Sequence, residues 1–375
     1  MFEPGKYLKR ALQIVWNYKV LWIFAFLIAL TGGASNGGGG GGGTGYRANM
    51  PANYNDFRDF GNVGNYSPQM QKVADWFMQN VEPLFATEAK AITTVLIAMA
   101  ILFGIALLFG LLGALVRYPA ETAVMRMVNA HEQDGTKLKF KDGWKLGWNH
   151  RAWRIFLVDL LIGTPAFGVV VLLMGGLGVY FFANRQNIEG AFNAGVGIWI
   201  AIVVLLMMAL AFVMIVISMV RQYIIRRIAF EDVGVWEGFR QGWMMFKQNL
   251  KHTLLTWLIL IGVGIAFGFA LMLAAILLIP AYIVLAIPGA IAAAVPGALG
   301  YMVTSLFAGE VLPWIIAAVL AIPVFFLVAF SPLTLISGVY TVFTSNVWTL
   351  LYRDKVAEAV VPPVLPGEVP PAIVN

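Results

Sequence analysis

A chain of 375 residues with 60% hydrophobic and only 12% charged residues cannot build the polar surface of a water-soluble protein, so its composition predicts a polytopic membrane protein. The absence of Cys from the sequence excludes disulfides, thiol chemistry, Cys-bound zinc and iron–sulfur clusters. The three His residues are scattered among basic residues and do not suggest a metal site. The net charge of +6 fits basic loops facing anionic lipid better than a nucleic-acid partner, and we expect no nucleic-acid binding.

The amino terminus predicts an interfacial helix that leads into the first span. Leu8 and Leu12 recur at helical spacing on one side, whereas Lys9 and Arg10 lie on the other. The apolar segment that follows, residues 20–33, is short and ends in small residues, which leaves a cleaved signal peptide as the alternative. We expect the span to be retained, because the basic region before it is long and has an apolar face of its own.

A glycine run at residues 37–43 opens a loop that we place outside the membrane, over residues 34–90. Glycine loses more conformational entropy on ordering than any other residue, so an unbroken run of it predicts a flexible connection. Ser67 and Pro68 then form a plausible start for a second amphipathic helix in the same loop.

Long apolar segments predict the remaining spans. Residues 280–309 are apolar but interrupted by Pro280, Pro288 and Pro296, so they could form a broken helix inside the bundle, a re-entrant segment or an outer interfacial helix. A Pro-rich cytoplasmic tail, residues 356–375, follows the membrane domain of residues 1–355. The predicted spans cover about residues 20–33, 91–116, 153–182, 194–220, 253–279 and 311–342.

The distribution of Lys and Arg predicts the orientation. Alternate connecting segments hold 20 of the 25 Lys and Arg residues, starting with the amino terminus. The positive-inside rule therefore places both termini in the cytoplasm and the Gly-rich loop outside the cytoplasmic membrane. A seventh full span at residues 280–309 would break this alternation, so we predict six.

Three short basic segments resemble one another and suggest an internal repeat: KRALQIVWNYK, KDGWKLGWNHR and RQGWMMFKQNLK. Each has an Asn directly before an apolar span, and we predict that Asn17, Asn149 and Asn249 cap the first turns of those spans. The predicted fold is an all-α membrane protein with about six transmembrane helices in three pseudo-repeated hairpins, each preceded by a cytoplasmic amphipathic helix. Convergence is the alternative, because topology alone demands basic, Trp-bearing flanks.

The segment VRQYIIRRIAFEDVGVWEGFRQGWMMFKQN, followed by a span and a last helix ending in WTLLYRD, resembles the six-span membrane domain joined to some bacterial glycerophosphodiester phosphodiesterases. It also resembles stand-alone bacterial proteins of that type, which implies the bacterial inner membrane. The catalytic barrel of those enzymes, with its acidic and His metal ligands, is absent here, so the resemblance transfers no catalytic residue.

Two classes of function remain open: a non-enzymatic scaffold or accessory subunit that binds anionic lipid or a partner protein, and a transporter or channel. We find no paired titratable groups of the kind an enzyme needs, and we expect no cofactor. Asp159 is a charge within a predicted span, where it would serve ion coupling or a structural pair with Arg117, Arg154 or Arg221. The predicted lipid or partner surface consists of Lys9, Arg10, Lys141, Lys145, Arg151, Arg240, Lys247, Lys251, Trp144, Trp148 and Trp243.

Overall fold

A computed structural model describes residues 4–32, 87–183, 194–306 and 309–360, together with residues 72, 75, 76 and 78–81. This part of the chain is helical and contains no strand, which confirms the predicted all-α class. The helices are α1 (Pro4–Asn17), α2 (Val20–Leu30), α3 (Glu88–Asp134), α4 (Phe140–Gly147), α5 (His150–Ala183), α6 (Ala194–Glu231), α7 (Val235–Gln248), α8 (Leu250–Leu277), α9 (Ile279–Ser305), α10 (Leu312–Ala329) and α11 (Ser331–Val360). The predicted glycine run and outer-loop helix lie outside the described residues, apart from short pieces of the latter.

Six helices in the described residues are long and apolar enough to cross a membrane, which is the predicted number, but they are not the predicted set. Helix α2 has 11 residues and spans about 16 Å at 1.5 Å per residue, roughly half of a bilayer core. It reaches span length only together with α1, and the two are bent by 100°. The six candidates are the part of α3 from Leu107, α5 up to Gly176, α6 from Trp199, and α8, α9 and α10.

Residues 280–309, whose conformation the sequence left open, mostly form one continuous helix. Helix α9 has 27 residues and contains Pro288 and Pro296 in its interior, and its length and composition make it a candidate span. The predicted span 311–342, in contrast, is divided. Helix α10 ends at Ala329 and α11 begins at Ser331.

Two helices extend well beyond their predicted ends. The predicted spans 91–116 and 194–220 correspond to α3 and α6, which continue to Asp134 and Glu231. We expected the added segments to be basic loops because they are rich in charge. They remain helical because buried apolar residues continue at helical spacing through them. Those residues are Val124, Val128, Ile224 and Ile228.

The chain divides into two compact units, of which the first comprises Met1–Gly39, Ala114–Phe267 and Ser337–Asn375. One of its two apolar clusters joins α1, α2 and α11 to α3, with Phe24 and Leu351 fully buried. The other joins α5, α6 and α7 to α3 and includes Ile155 and Ile224. Gly338 allows α11 to approach the backbone of α2, since a Cβ there would collide with the carbonyl of Ala25.

The second unit comprises Gly40–Gly113 and Gly268–Ile336, and its main feature is an antiparallel hairpin of α9 and α10. Aromatic contacts close both ends of the hairpin: the ring centroids of Tyr282 and Phe330 are 5.1 Å apart, and those of Tyr301 and Trp314 are 4.8 Å apart. Between these ends a stripe of small residues on α9 lets the two backbones approach, as is typical of helix pairs in membranes. The stripe consists of Gly289, Ala293, Gly297 and Gly300.

Candidate functional site

A cluster of buried charges lies where α3, α5 and α6 meet. Asp159 accepts hydrogen bonds from Arg221 Nε at 2.5 Å and from Arg221 Nη2 at 2.8 Å, and the hydroxyl of Tyr118 donates to the same carboxylate at 2.9 Å. Glu121 Oε1 lies 3.5 Å from Arg221 Nη2. Only 9% of the Arg221 side chain and 15% of the Asp159 side chain are exposed. Bidentate contact fixes the geometry of such a pair, so Asp159 has a specific structural partner.

Arg226 is the second buried cation of α6, five residues beyond Arg221, and only 1% of it is exposed. Its hydrogen bonds in the described structure go to neutral groups. The Gln222 carbonyl and amide oxygens accept from Nη1 at 2.8 and 2.9 Å, and the Ser345 carbonyl accepts from Nη2 at 2.7 Å. Thr349 Oγ1 accepts from Nε at 3.2 Å, so Arg226 fastens α6 to α11. A buried guanidinium is tolerated when its donors are satisfied in this way.

A cavity of about 30 Å³ lies beside Arg221, and its lining includes Glu121, Gln222, Thr344 and Ser345 together with apolar residues such as Val124. The volume is sufficient for about one water molecule. It is too small for an organic solute, so the arrangement is that of a closed helix junction.

Four polar residues form a second, more exposed charge cluster where the α4–α5 junction meets the α6–α7 loop. His150 Nε2 lies 2.7 Å from Asp232 Oδ1, Arg154 Nη1 donates to the same oxygen at 2.8 Å, and Arg151 Nη2 lies 3.2 Å from Oδ2. The hydrogen bond with His150, followed by the charge of Arg151, lowers the pKa of Asp232 below its ordinary value. Asp232 has a left-handed backbone with φ of 59°, which Asp tolerates better than most residues do.

An apolar groove of about 700 Å³ runs between α5 and α6 and ends under α7. Its walls include Pro165, Ala166, Leu210 and Met214, all from the two candidate spans, and one end is lined by residues of α7. Those α7 residues are Trp236, Phe239, Arg240 and Trp243. The groove therefore has long apolar walls, and one cation and two indole rings lie together at one of its ends.

The predicted lipid or partner surface is not uniform in the structure. Arg10 is paired with Glu132 at 2.7 Å and Arg151 with Asp232, while Trp144 packs against Phe24 with ring centroids 6.3 Å apart. The remaining members are exposed, and the Lys247 ammonium lies 5.9 Å from the Trp243 ring. These exposed members are Lys9, Lys141, Lys145, Arg240, Lys247, Lys251, Trp148 and Trp243.

The three predicted Asn caps have three different environments. Asn17 is the last residue of α1, and α2 starts after Lys19 without a side-chain cap, so the prediction is wrong at this position. Asn149 Oδ1 accepts a hydrogen bond from the first amide of α5, that of His150, at 2.6 Å. Asn249 donates from its amide group to the Met245 carbonyl at 3.0 Å, so its side chain serves the end of α7 and not the start of α8.

Sequence reasoning missed most of the buried polar network. Glu121, Gln222 and Arg226 lie in segments that we expected to be loops, and Ser345 and Thr349 lie beyond the predicted end of the last span. The signal that would have found the first three is the apolar helical periodicity that continues through residues 117–134 and 221–231. Nothing in the sequence indicates which Arg meets Asp159.

The helix lengths, the apolar outer surfaces and the polar interior junction define a multi-pass helical membrane protein. More specifically, the chain belongs to the family of unknown function DUF7544, whose sequence profile matches residues 13–354. No curated protein and no solved structure matches it. The family match does not link the chain to glycerophosphodiester phosphodiesterases.

Proposed function

We propose that this protein is a non-enzymatic scaffold or accessory subunit of the cytoplasmic membrane that retains anionic lipid, with both termini in the cytoplasm. The observation that carries the proposal is the apolar groove between α5 and α6 with Arg240 at one end. Its apolar walls suit an acyl chain, and Arg240 suits the phosphate of a headgroup.

The residues at the end of the groove support a lipid occupant. Trp236 and Trp243 are 83% and 45% exposed, and indole rings are enriched where the headgroups of a bilayer begin. Lys247 follows Trp243 by one turn of α7, and its ammonium lies 5.9 Å from the Trp243 ring, so it adds a second cation beside this end of the groove. Each cation close to an anionic leaflet contributes about 1 kcal/mol of attraction, so the pair favours anionic over zwitterionic lipid.

The internal repeat belongs to the same proposal. Helices α1, α4 and α7 are separated from α2, α5 and α8, respectively, by only one or two intervening residues. We infer that each pair is one interfacial helix followed by one membrane-entering helix, in three related copies. The exposed basic and Trp residues of α7 then lie among the lipid headgroups beside the groove, and those of α4 form a cytoplasmic surface for a partner protein.

A second candidate function, transport, is favoured by one observation: the buried charges of α3, α5 and α6. Carboxylates and arginines inside membrane helices are frequent in ion-coupled pathways. In this structure Asp159 and Arg221 form an ion pair with each other, and the adjacent cavity has a volume of only about 30 Å³. The network thus closes the junction, which supports a scaffold more than a path for a solute.

The decisive experiment compares lipid retention with flux. Wild-type protein, purified in mild detergent and reconstituted, is assayed for retained phosphatidylglycerol by mass spectrometry and for ion flux in vesicles. Arg240→Glu with Lys247→Glu, and separately Ala166→Trp to fill the groove, should each reduce retained phosphatidylglycerol several-fold. The matched controls are Lys141→Glu with Lys145→Glu and Ala209→Trp, which make the same changes in charge and size at residues that do not line the groove.

Two results would contradict the scaffold function. One is equal loss of phosphatidylglycerol in the groove variants and their controls, which would indicate general surface attraction. The other is a flux that disappears in Asp159→Asn while lipid retention is indifferent to the changes at Arg240 and Lys247. That second result would favour the transporter.

A further inference from the structure

A second large cavity, separate from the groove, opens between α1, α3, α6 and α11. Its volume is about 930 Å³, within the size range of small-molecule sites. Its lining is far more polar than that of the groove. The residues that matter for its chemistry are Lys6, Lys9, Gln13, Asn129, Gln133 and Arg353. We call this cavity the amino-terminal cleft.

The carboxylates of the amino-terminal cleft are already occupied. Glu132 is paired with Arg10 at 2.7 Å. Glu231 is bound by Arg227 and accepts a hydrogen bond from the Tyr352 hydroxyl at 2.6 Å. Asp354 accepts a hydrogen bond from the Tyr7 hydroxyl at 2.5 Å.

The cations of the cleft, in contrast, are largely available. Lys6 and Lys9 are exposed and make no ion pair within the part of the chain that the structure describes. Arg353 donates to the backbone carbonyl of Asn129 at 2.9 Å and to the amide oxygen of the same residue, both of which are neutral. Of the four cations that line the cavity, three therefore have no carboxylate partner in the described residues, whereas only one carboxylate, Asp354, has no cationic partner there. The cleft has a surplus of positive charge.

Helix α1 has three different faces, and the cleft lies on the polar one. Leu12 and Trp16 are 58% and 61% exposed and form the apolar outer face of the helix. Ala11, Ile14 and Val15 form a second face, which is buried in the protein. The cleft residues of α1 are Lys6, Lys9 and Gln13, which recur at steps of three and four and form a third, polar face. The apolar face with Leu12 and Trp16 suits contact with lipid, whereas the polar face with Lys6, Lys9 and Gln13 suits contact with a water-soluble molecule.

We propose that the amino-terminal cleft binds a water-soluble phosphorylated small molecule. Lys6 and Lys9 supply ammonium groups from adjacent turns of α1, and Arg353 supplies a guanidinium from α11, which together match the charge of a phosphoryl group. The side-chain amides of Gln13, Asn129 and Gln133 provide donors and acceptors for the uncharged part of the ligand. This inference is independent of the lipid groove, because the two cavities share no lining residue.

The test uses inorganic pyrophosphate as the probe and full-length protein in zwitterionic detergent. Isothermal titration at constant ionic strength should show saturable binding to wild-type protein. Lys6→Ala with Lys9→Ala should weaken it at least tenfold, whereas Lys141→Ala with Lys145→Ala, which removes the same charge from α4, should leave it unchanged. Thermal unfolding without probe checks that both variants are folded, and Lys6→Gln with Lys9→Gln serves as a second, milder replacement.

Three outcomes would overturn the proposal. The first is the absence of saturable pyrophosphate binding to wild-type protein. The second is equal weakening in the two double variants, which would indicate general electrostatic attraction. The third is unsaturable pyrophosphate binding combined with a loss of flotation on phosphatidylglycerol vesicles in the Lys6 and Lys9 variants alone, which would assign the cleft to lipid headgroups. None of these outcomes bears on Arg240, so the lipid groove is tested separately.

Discussion

The buried charges of the first unit and the glycine-lined hairpin of the second hold helices together by different interactions. Around Asp159 and Arg226, helices are joined by hydrogen bonds between groups that are costly to bury alone. Between α9 and α10, a stripe of small residues brings the backbones close, and the contacts are apolar and aromatic. The first arrangement depends on specific hydrogen-bond partners for each buried charge, whereas the second depends on shape.

The largest expected effect comes from separating one buried pair. Arg221→Met should lower the free energy of unfolding by about 3 kcal/mol, because Asp159 would stay buried without its cation. The measurement is thermal or denaturant unfolding in detergent micelles. The double variant Arg221→Met with Asp159→Leu should recover at least half of the loss, since it removes both charges. Equal loss in the single and double variants would show that packing, and not charge, determines stability there.

The hairpin should respond to volume and not to charge. Gly297→Leu should cost about 2 kcal/mol, because even a Cβ at this position would lie 3.1 Å from the Cβ of Ala321 and 3.3 Å from the carbonyl oxygen of Ala317. Gly268→Leu is the matched control in the same unit, since a Cβ there would have no neighbour within 4 Å. Similar unfolding free energies for the two variants would mean that α9 and α10 do not need close contact.

The smallest expected effect concerns the exposed cluster around Asp232, where we predict only a pH-dependent change. The pKa of this carboxylate is lowered in the folded protein, chiefly by the hydrogen bond with His150. Its contribution to stability is therefore fully present above the unfolded-state pKa of about 3.9 and is lost as the pH falls through the lower folded-state value.

Unfolding temperatures of wild type and Asp232→Asn should accordingly differ more at pH 6 than at strongly acidic pH. Asp142→Asn provides a control on α4, where no ion pair with the described residues depends on the carboxylate. If the difference in unfolding temperature between wild type and Asp232→Asn stays constant as the pH falls, the ionised carboxylate does not contribute to stability as predicted.

In both units only part of the helical structure could be predicted from the sequence. The all-α class and the number of candidate spans follow from composition and from long apolar segments. The identity of the spans does not, because the interior prolines of α9 look like breaks in a sequence but are accommodated in the helix. Likewise α3 and α6 continue through charged segments, since their buried faces continue.

The residues of the candidate sites were also only partly predictable from the sequence. The sequence alone indicated Arg240, Trp243 and Lys247 as surface residues, because basic and aromatic residues at helical spacing have a recognisable pattern. It could not show that Arg10 and Arg151 are paired with carboxylates far away in the chain, at Glu132 and Asp232. The match of Asn17 with Asn149 and Asn249 also failed, because the chain bends by 100° between α1 and α2, and Asn17 ends one helix without capping the next.

The sequence by itself determined that this protein is helical, membrane-type and basic, because those properties depend on composition and on local periodicity. Only the tertiary structure decided which charges are buried together, where the apolar groove lies and which cations of α1 face a polar cleft. The physical reason is distance along the chain. Asp159 and Arg221 are 62 residues apart, and no local pattern connects two residues that meet only when three helices pack.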